Sequence, residues 1–245
     1  MIFFINGIVG HKIIKFILKK YYSDVKAIVI LNSDKKIKQF LKIKYPKKKT
    51  IVWTTKNKIY NNLKKLSPKS FFLIWWPFIL KKKILNIPKH GTINTHPSLL
   101  PHYKGKDPNF WSILKNGPYG VSIHKVNEKI DSGDILFRQK INKIDYDIDA
   151  KKLYKISQRT LIKLFKEKYK YLRENFNSIK TVRNKKSNIY YRKDMINFSK
   201  INLNKKYRAK YIINLLRAKN FPPYSGVLFN DGGKTYNINI KIKKI

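Results

Sequence analysis

The strongest constraint on the fold is an alternation of short apolar runs with amphipathic stretches over the first hundred residues. The apolar runs predict strands at Ile2–Asn6, Val25–Leu31, Thr50–Thr54, Phe71–Trp75 and Thr92–Asn94. The stretches between them predict helices at Lys12–Tyr21, Lys35–Leu41 and Asn57–Leu66. Phe71–Trp75 is almost continuously apolar, as expected of a parallel strand that is covered on both faces. This rhythm predicts a doubly wound α/β sheet.

The second half of the chain has a different pattern. Two extended segments, 121–126 and 135–141, precede a long helix predicted at Ala150–Phe176, whose apolar residues recur on one face. A polar linker at 177–187 follows, and then a helix at Lys205–Lys219 and a hairpin around Asp231. We therefore predict a Rossmann-like core domain at residues 1–180 and a small α+β appendage at residues 188–245.

The charge of the chain is extreme, with 56 Lys and Arg against 13 Asp and Glu and a formal net charge of +43. Nucleic-acid binding is one interpretation. However, 49 of the 56 basic residues are Lys rather than the Arg that suits bidentate phosphate and base contacts, and they are spread along the chain. Because Ile, Asn, Tyr and Phe share A/T-rich codons with Lys, we favour genome bias and solvated faces, and keep a polyanionic partner as the alternative.

The sequence contains no cysteine, which excludes thiolate nucleophiles, disulfides and cysteine-based zinc sites. The longest apolar run, Phe71–Leu80, is far too short to span a membrane, and the N-terminus has the pattern of a strand rather than a signal peptide. We expect a cytoplasmic protein without a metal.

One motif carries chemistry: the stretch 94–105, which begins Asn-Thr-His-Pro-Ser-Leu-Leu-Pro, together with a Gly-containing turn at 131–134. Asn94 and His96 are two positions apart and project to the same side of an extended chain. They lie where a strand meets a loop, and open α/β sheets bind ligands at the carboxyl ends of their strands. An amide beside an imidazole can hold an oxyanion, and the carboxylate of Asp131 could keep that imidazole protonated and oriented.

These residues and their spacing resemble the formyltransferases that use 10-formyltetrahydrofolate, most closely from about Ile74 to Ile141. Asp131 follows His96 by 35 residues, as the family pattern requires. The resemblance implies that Asn94, His96 and Asp131 are catalytic and that 10-formyltetrahydrofolate is the co-substrate. It also implies folate contacts from Trp76, Pro77, Phe78, Ser98, Leu99, Leu100 and Pro101. His124 is interpreted as a supporting or purely structural residue.

The acceptor amine is open between several classes. The loop 105–111 and the tail around Phe221-Pro-Pro-Tyr224 resemble the sugar N-formyltransferase branch, which implies a nucleotide-linked amino deoxysugar for surface polysaccharide and a homodimer. Contacts with this substrate are then expected from Lys104, Phe110, Trp111 and Tyr224. Methionyl-tRNA is the main alternative; glycinamide ribonucleotide, or water in a hydrolase, fits the length or domain composition less well. A non-catalytic, basic RNA-binding protein with this fold is the remaining alternative.

Overall fold

The computed structural model describes residues 1–53, 58–142, 144–243 and 245, in two compact units. The first unit comprises Met1–His96, Ser122–Arg138 and Leu161–Asn184, and the second comprises Pro97–Val121, Gln139–Thr160 and Lys185–Ile245. This grouping differs from the predicted boundaries, because parts of the predicted core, residues 97–121 and 139–160, group with the C-terminal segment. The boundaries at 1–180 and 188–245 stay a prediction.

Twelve strands and eight α-helices occur in the described residues. The strands are β1 Ile2–Ile5, β2 Ala27–Ile30, β3 Lys49–Val52, β4 Phe71–Ile74, β5 Thr92–His96, β6 Lys104–Gly105, β7 Tyr119–Lys125, β8 Ile135–Ile141, β9 Ile189–Tyr190, β10 Lys200–Ile201, β11 Val227–Asp231 and β12 Lys234–Ile238. The helices are α1 Gly7–Lys20, α2 Lys35–Lys44, α3 Lys58–Lys65, α4 Lys82–Leu85, α5 Pro108–Leu114, α6 Ala150–Glu174, α7 Arg192–Phe198 and α8 Ala209–Lys219. Thr54 and Asn57, the ends of a predicted strand and a predicted helix, lie outside the described residues.

A seven-stranded sheet in the order β3-β2-β1-β4-β5-β7-β8 organises the first unit. Its strands run parallel from β3 through β5, and β7 pairs antiparallel with β5. The predicted α/β class with a doubly wound sheet is confirmed. The register places Asn94 beside Leu73 on one neighbouring strand and beside His124 on the other. The carboxyl end of β5 therefore lies between the end of β4 and the chain of β7.

The strands at the centre of this sheet are fully apolar. All four residues of β1 are 0% exposed, and the neighbouring strands β2 and β4 are buried along their whole length. Helix α1 begins at Gly7, earlier than the predicted Lys12. A Cβ on Gly10 would lie 2.9 Å from the Cβ of Ile5, so a glycine at this position lets the helix pack directly on β1.

The second unit has its own apolar core. Trp111, Tyr119, Leu153, Leu215 and Val227 are buried in one cluster, to which α5 and α8 both contribute. The predicted C-terminal helix and the hairpin of β11 and β12 are confirmed, and β10 extends the hairpin to a three-stranded sheet. Residues 108–114 form a buried helix where the sequence predicted a loop. Pro108 at its start presets the helical φ angle there.

Candidate active site

Two polar side chains project from the carboxyl-terminal part of β5, in the first unit. Asn94 is half-buried and His96 is 5% exposed. The sequence predicts that they share a side of the strand, and the structure places both beside the same carboxylate. Between them, Thr95 turns to the opposite side and is 3% exposed. Its hydroxyl accepts the Trp75 N–H at 3.0 Å and donates to the Leu73 carbonyl at 3.2 Å.

Asp131 meets both residues. Its Oδ2 lies 3.4 Å from the His96 Nδ1, and its Oδ1 lies 3.5 Å from the Asn94 Nδ2. The Asp131 side chain is only 13% exposed, so its charge is partly desolvated and its interactions are weakly screened by solvent. The three side chains that the sequence proposed as a unit thus converge, although Asp131 lies 35 residues beyond His96 and 37 beyond Asn94 in the chain.

His124 is a fourth member of this cluster. Its Nδ1 lies 2.7 Å from the Lys125 carbonyl, which can only accept, so Nδ1 carries a proton. In the neutral ring the other nitrogen, Nε2, is then an acceptor, and it lies 3.2 Å from the Asn94 Nδ2. The same Nε2 lies 3.6 Å from the Asp131 Oδ1. His124 therefore fixes the orientation of the Asn94 amide, because the amide must present its NH2 group rather than its oxygen.

The loop that carries Asp131 is tightly folded against β7. Asp131 has a φ of +44°, in the left-handed region that few side chains adopt. A Cβ on Gly133 would lie 1.9 Å from the Lys125 carbonyl oxygen, so only glycine fits there. The Lys125 N–H donates to the Asp134 carbonyl at 2.9 Å. The Gly-containing turn that the sequence indicated thus positions Asp131 next to the carboxyl end of β5.

Aromatic residues follow β4 next to this cluster. Trp75 has a φ of +56°, Trp76 is 9% exposed and Phe78 is 49% exposed. The Phe78 ring stacks on Trp53, with centroids 6.4 Å apart and an interplanar angle of 13°. Pro77, which lies between Trp76 and Phe78 in the chain, is also exposed. These residues form an apolar surface at the carboxyl end of the strand beside β5.

The remaining residues predicted to contact folate, Ser98 to Pro101, belong to the second unit. Ser98 is 0% exposed and its hydroxyl donates to the His102 carbonyl at 2.8 Å. Leu100 is fully buried, and Leu99 and Pro101 are half-buried. The serine hydroxyl therefore holds the turn of this loop, and contact between these residues and folate stays a prediction.

The four predicted substrate contacts also lie in the second unit and differ in exposure. Lys104 is 2% exposed and donates to the Lys185 carbonyl at 2.9 Å. Phe110 and Trp111 are 3% and 1% exposed in the core cluster, which favours a packing role for both. Tyr224 is 69% exposed, and contact between its ring and a ligand stays a prediction.

The described residues contain no group of three or more His, Cys, Asp or Glu side chains that could hold a metal ion. No helix in the described part of the chain is long and apolar enough to cross a bilayer.

Two known protein families match parts of this chain. Residues 20–165 match the family described as formyl transferase, and residues 194–244 match the N-formyltransferase dimerization C-terminal domain. A methionyl-tRNA formyltransferase from Prochlorococcus marinus (strain MIT 9312) is 42% identical over 118 residues, which cover 48% of this chain and 36% of that protein. The chain thus spans about a third of the length of this curated relative.

Solved structures match over much more of the chain. A sugar N-formyltransferase from Shewanella sp. FDAARGOS_354 has a TM-score of 0.83 at 20% identity, covering 100% of this chain and 98% of that one. A 4-N formyltransferase from Francisella tularensis has a TM-score of 0.78 at 25% identity, with coverages of 100% and 98%. An N-formyltransferase from Helicobacter canadensis, in complex with folinic acid and dTDP-3-aminofucose, has a TM-score of 0.71 at 20% identity, with coverages of 95% and 84%.

Proposed function

Because the chain belongs to the formyl transferase family, we propose that it moves a formyl group from 10-formyltetrahydrofolate to the amine of a nucleotide-linked amino deoxysugar. The observation that carries the proposal is the convergence of Asn94, His96 and Asp131 at the end of β5. This is the arrangement that formyl transfer needs: hydrogen-bond donors for an oxygen that becomes negative, and a carboxylate that orients one of them.

Asn94 and His96 supply the donors. The neutral amine attacks the formyl carbon of the folate and a new C–N bond forms. The bond from that carbon to N10 breaks, and tetrahydrofolate leaves with a proton on N10. Of the two contacts of the Asn94 Nδ2, the one to the Asp131 Oδ1 is at 3.5 Å, the limit of a hydrogen bond, and is the one that can be exchanged for the formyl oxygen. The contact at 3.2 Å to the His124 Nε2 keeps the amide in place during that exchange.

Asp131 determines the role of the imidazole. The Asp131 Oδ2 lies 3.4 Å from the His96 Nδ1, so the opposite charge orients the ring and favours its protonated form. The His96 Nε2 proton then points to the same oxygen as the Asn94 amide. The carboxylate also provides an acceptor near the amine, which must lose a proton when the C–N bond forms.

The residues that follow β4 fit a folate. Phe78 and its exposed neighbour Ile79, 68% exposed, offer apolar surface beside the strand that carries Asn94. A pterin ring is flat, and aromatic surface of this kind suits such a ring. Trp76, Pro77 and Phe78 are the residues of the first unit that we assign to this contact.

The amino-sugar acceptor is supported by the extent of the structural similarity. The Shewanella and Francisella proteins, named a sugar N-formyltransferase and a 4-N formyltransferase, match this chain over its full length. The C-terminal family match at residues 194–244 extends the resemblance beyond the catalytic domain. The exposed ring of Tyr224 is available to stack on the base or the sugar.

Methionyl-tRNA is the second candidate acceptor. The curated relative from Prochlorococcus marinus is a methionyl-tRNA formyltransferase, and a net charge of +43 suits a polyanionic substrate. Both acceptors present a primary amine to the same cluster of side chains, so this alternative changes the substrate and leaves the chemistry unchanged.

We also propose that the protein acts as a homodimer through its C-terminal sheet. β12 is an edge strand of that sheet, and most of its residues are exposed. Tyr236 on β12 is 43% exposed and stacks on Phe229 of β11 at 5.1 Å. An exposed edge strand with aromatic residues is a ready surface for pairing with a second copy. Light scattering should give twice the chain mass, and a Tyr236→Lys variant should shift it toward the monomer.

The test of the proposed function is a screen with 10-formyltetrahydrofolate and two acceptor sets, nucleotide-linked amino sugars and charged initiator tRNA, in which folate release and product mass are followed. The expected result is a product heavier by one formyl group with at least one amino sugar, formed about 10²–10³-fold more slowly by the His96→Ala variant. Formylation of the tRNA alone would overturn the choice of acceptor. No formyl product from either set would overturn formyl transfer itself.

A further inference from the structure

The loop that carries Asp131 is held on a second side, by a residue far away in the sequence. Asn184 is 8% exposed, and its Nδ2 donates to the Asp131 carbonyl at 2.8 Å and to the Gly133 carbonyl at 3.0 Å. Of the two ends of the Asn184 amide, only the NH2 group can donate to carbonyl oxygens, so the orientation of this side chain follows from its partners. Both protons of the buried Asn184 amide are thus hydrogen-bonded to the backbone of the loop that carries Asp131.

The strand register explains how Asn184 reaches this loop. Val182 and Ile135 form an antiparallel bridge in which each N–H donates to the other carbonyl at 2.9 Å. Two residues further on, Asn184 therefore falls opposite Gly133. A side chain at 133 would collide with the Lys125 carbonyl on β7, so the loop that Asn184 contacts requires a glycine at this position.

The position of the Asp131 carboxylate depends on this loop in two ways. The φ of +44° at Asp131 is costly for a residue other than glycine, and such conformations persist only where the surroundings enforce them. The Lys125 N–H holds the loop at the Asp134 carbonyl, on the β7 side. Asn184 holds the opposite side at Asp131 itself. Without this second attachment, the backbone at 131 is no longer fixed at the residue whose side chain must meet His96.

We propose that Asn184 is a positioning residue, whose side-chain amide fixes the backbone at Asp131 and thereby keeps the Asp131 carboxylate against His96. This inference rests on the proposed function. Asn184 does not touch the reacting atoms in this scheme and acts only through Asp131. Replacing it should therefore lower the rate of transfer and leave the binding of both substrates nearly unchanged.

The kinetic test compares Asn184→Ala with Asn175→Ala. Asn175 also donates from Nδ2 to a backbone carbonyl, that of Tyr171 at 3.2 Å, but this hydrogen bond is exposed, and the half-buried Asn175 lies outside the loop. We expect Asn184→Ala to lower kcat about 10–100-fold, as a misplaced catalytic group does, with KM values within about threefold of the wild type. Asn175→Ala should change neither. A purely structural role for Asn184 would lower the fraction of folded enzyme and leave the kcat of the folded fraction unchanged.

A double-mutant cycle with Asp131→Asn tests whether Asn184 acts through the carboxylate. In the Asp131→Asn background, Asn184→Ala should cost at most about twofold further in single-turnover rate, because no carboxylate remains to be misplaced. Full additivity of the two losses would overturn the proposal.

A crystal structure of Asn184→Ala tests the same inference without any activity. The Asp131 carboxylate should move out of hydrogen-bonding distance of His96, with β5 and β7 in place. A carboxylate that stays 3.4 Å from the His96 Nδ1, as in the structure described above, would overturn the positioning role. If the carboxylate moves but no acceptor is formylated by the wild type, the proposed function fails and the structural role of Asn184 stands.

Discussion

Asn94 is held at two points, and this explains why an amide rather than a carboxylate must occupy the position. The His124 Nε2 and the Asp131 Oδ1 both face its Nδ2. An aspartate at 94 would place a second negative charge against Asp131 and offer no donor to an oxyanion. His96 meets the same carboxylate through its Nδ1. Each of the two side chains that we propose as oxyanion donors is therefore held in place before a substrate binds.

Replacement of either donor should abolish most of the activity. We expect Asn94→Ala and His96→Ala each to lower kcat about 10²–10³-fold, the usual cost of losing one oxyanion donor. Thermal unfolding of both variants should stay close to that of the wild type. His90→Ala, at an exposed histidine, is the control and should retain full kcat. Near-normal kcat in either active-site variant would remove that residue from the mechanism.

The sequence could predict the three catalytic candidates, with His124 as a supporting or purely structural residue, but not the contacts that hold them in place. Asn94 and His96 belong to one short motif, and Asp131 lies in a recognisable Gly-containing turn. The contact of His124 with Asn94 depends on the antiparallel register of β5 and β7. Asn184 lies in a stretch that the sequence predicts as a polar linker, and its role follows only from the bridge between Val182 and Ile135. Such long-range pairings leave no local pattern.

At the scale of elements, Thr95 links β5 to the end of β4. Its hydroxyl satisfies the N–H of Trp75, whose φ is positive, so it holds the start of the surface that we assign to folate. Thr95→Val keeps the shape but leaves this N–H without its partner, and should cost about 1–3 kcal/mol of stability. KM for the folate should rise more than kcat falls. Thr95→Ser keeps the hydroxyl and should behave like the wild type; equal KM values in wild type and Thr95→Val would contradict the link.

The buried phenol of Tyr103, which precedes β6, should make the folded protein less stable at high pH. Burial raises the pKa of Tyr103 to about 12, with a smaller contribution from Tyr190. An unfolded tyrosine has a pKa of about 10, so between these values the unfolded chain loses a proton that the folded chain keeps. The stability that the neutral Tyr103 contributes to the folded state is therefore fully present below pH 10 and is lost as the pH rises to 12.

The test is the free energy of unfolding of wild type and Tyr103→Phe at pH 9 to 12. The difference between them should change by up to about 1.4 kcal/mol per pH unit above pH 10, with the phenylalanine variant less sensitive. Other buried tyrosines cancel in this difference. Parallel curves for the two proteins over the whole range would contradict the assignment.

The elements themselves were predictable where one local signal dominated. The apolar runs of β1, β2 and β4 and the one-sided pattern of α6 lie close to their predicted bounds. Helix α5 was missed because all seven of its residues are buried, the polar Asn109 and Ser112 included, so its sequence shows no apolar face with the helical period. Helix α7 and β10 lie in a polar tail region and form short elements whose place depends on pairing with β11 and on packing.

At the scale of the whole molecule, the dependence of activity on salt can show whether the lysines attract anionic substrates or only reflect A/T-rich codons. If the net charge of +43 steers anionic substrates, kcat/KM for a nucleotide sugar should fall about tenfold between 0.05 and 0.5 M KCl, because salt screens exposed charges. Sucrose at matched osmolality should have little effect. A kcat/KM that is flat with salt would mean that the lysines play no part in substrate capture.

The central claim, that the formyl oxygen is held by Asn94 and His96 beside Asp131, can be measured directly in a crystal structure. The protein should be crystallised with folinic acid, a stable formyl folate, and the nucleotide sugar that the screen identifies. The account predicts the formyl group within hydrogen-bonding distance of the Asn94 Nδ2 and the His96 imidazole, with the sugar amine next to the Asp131 carboxylate. A formyl group that lies out of reach of both Asn94 and His96 would contradict it.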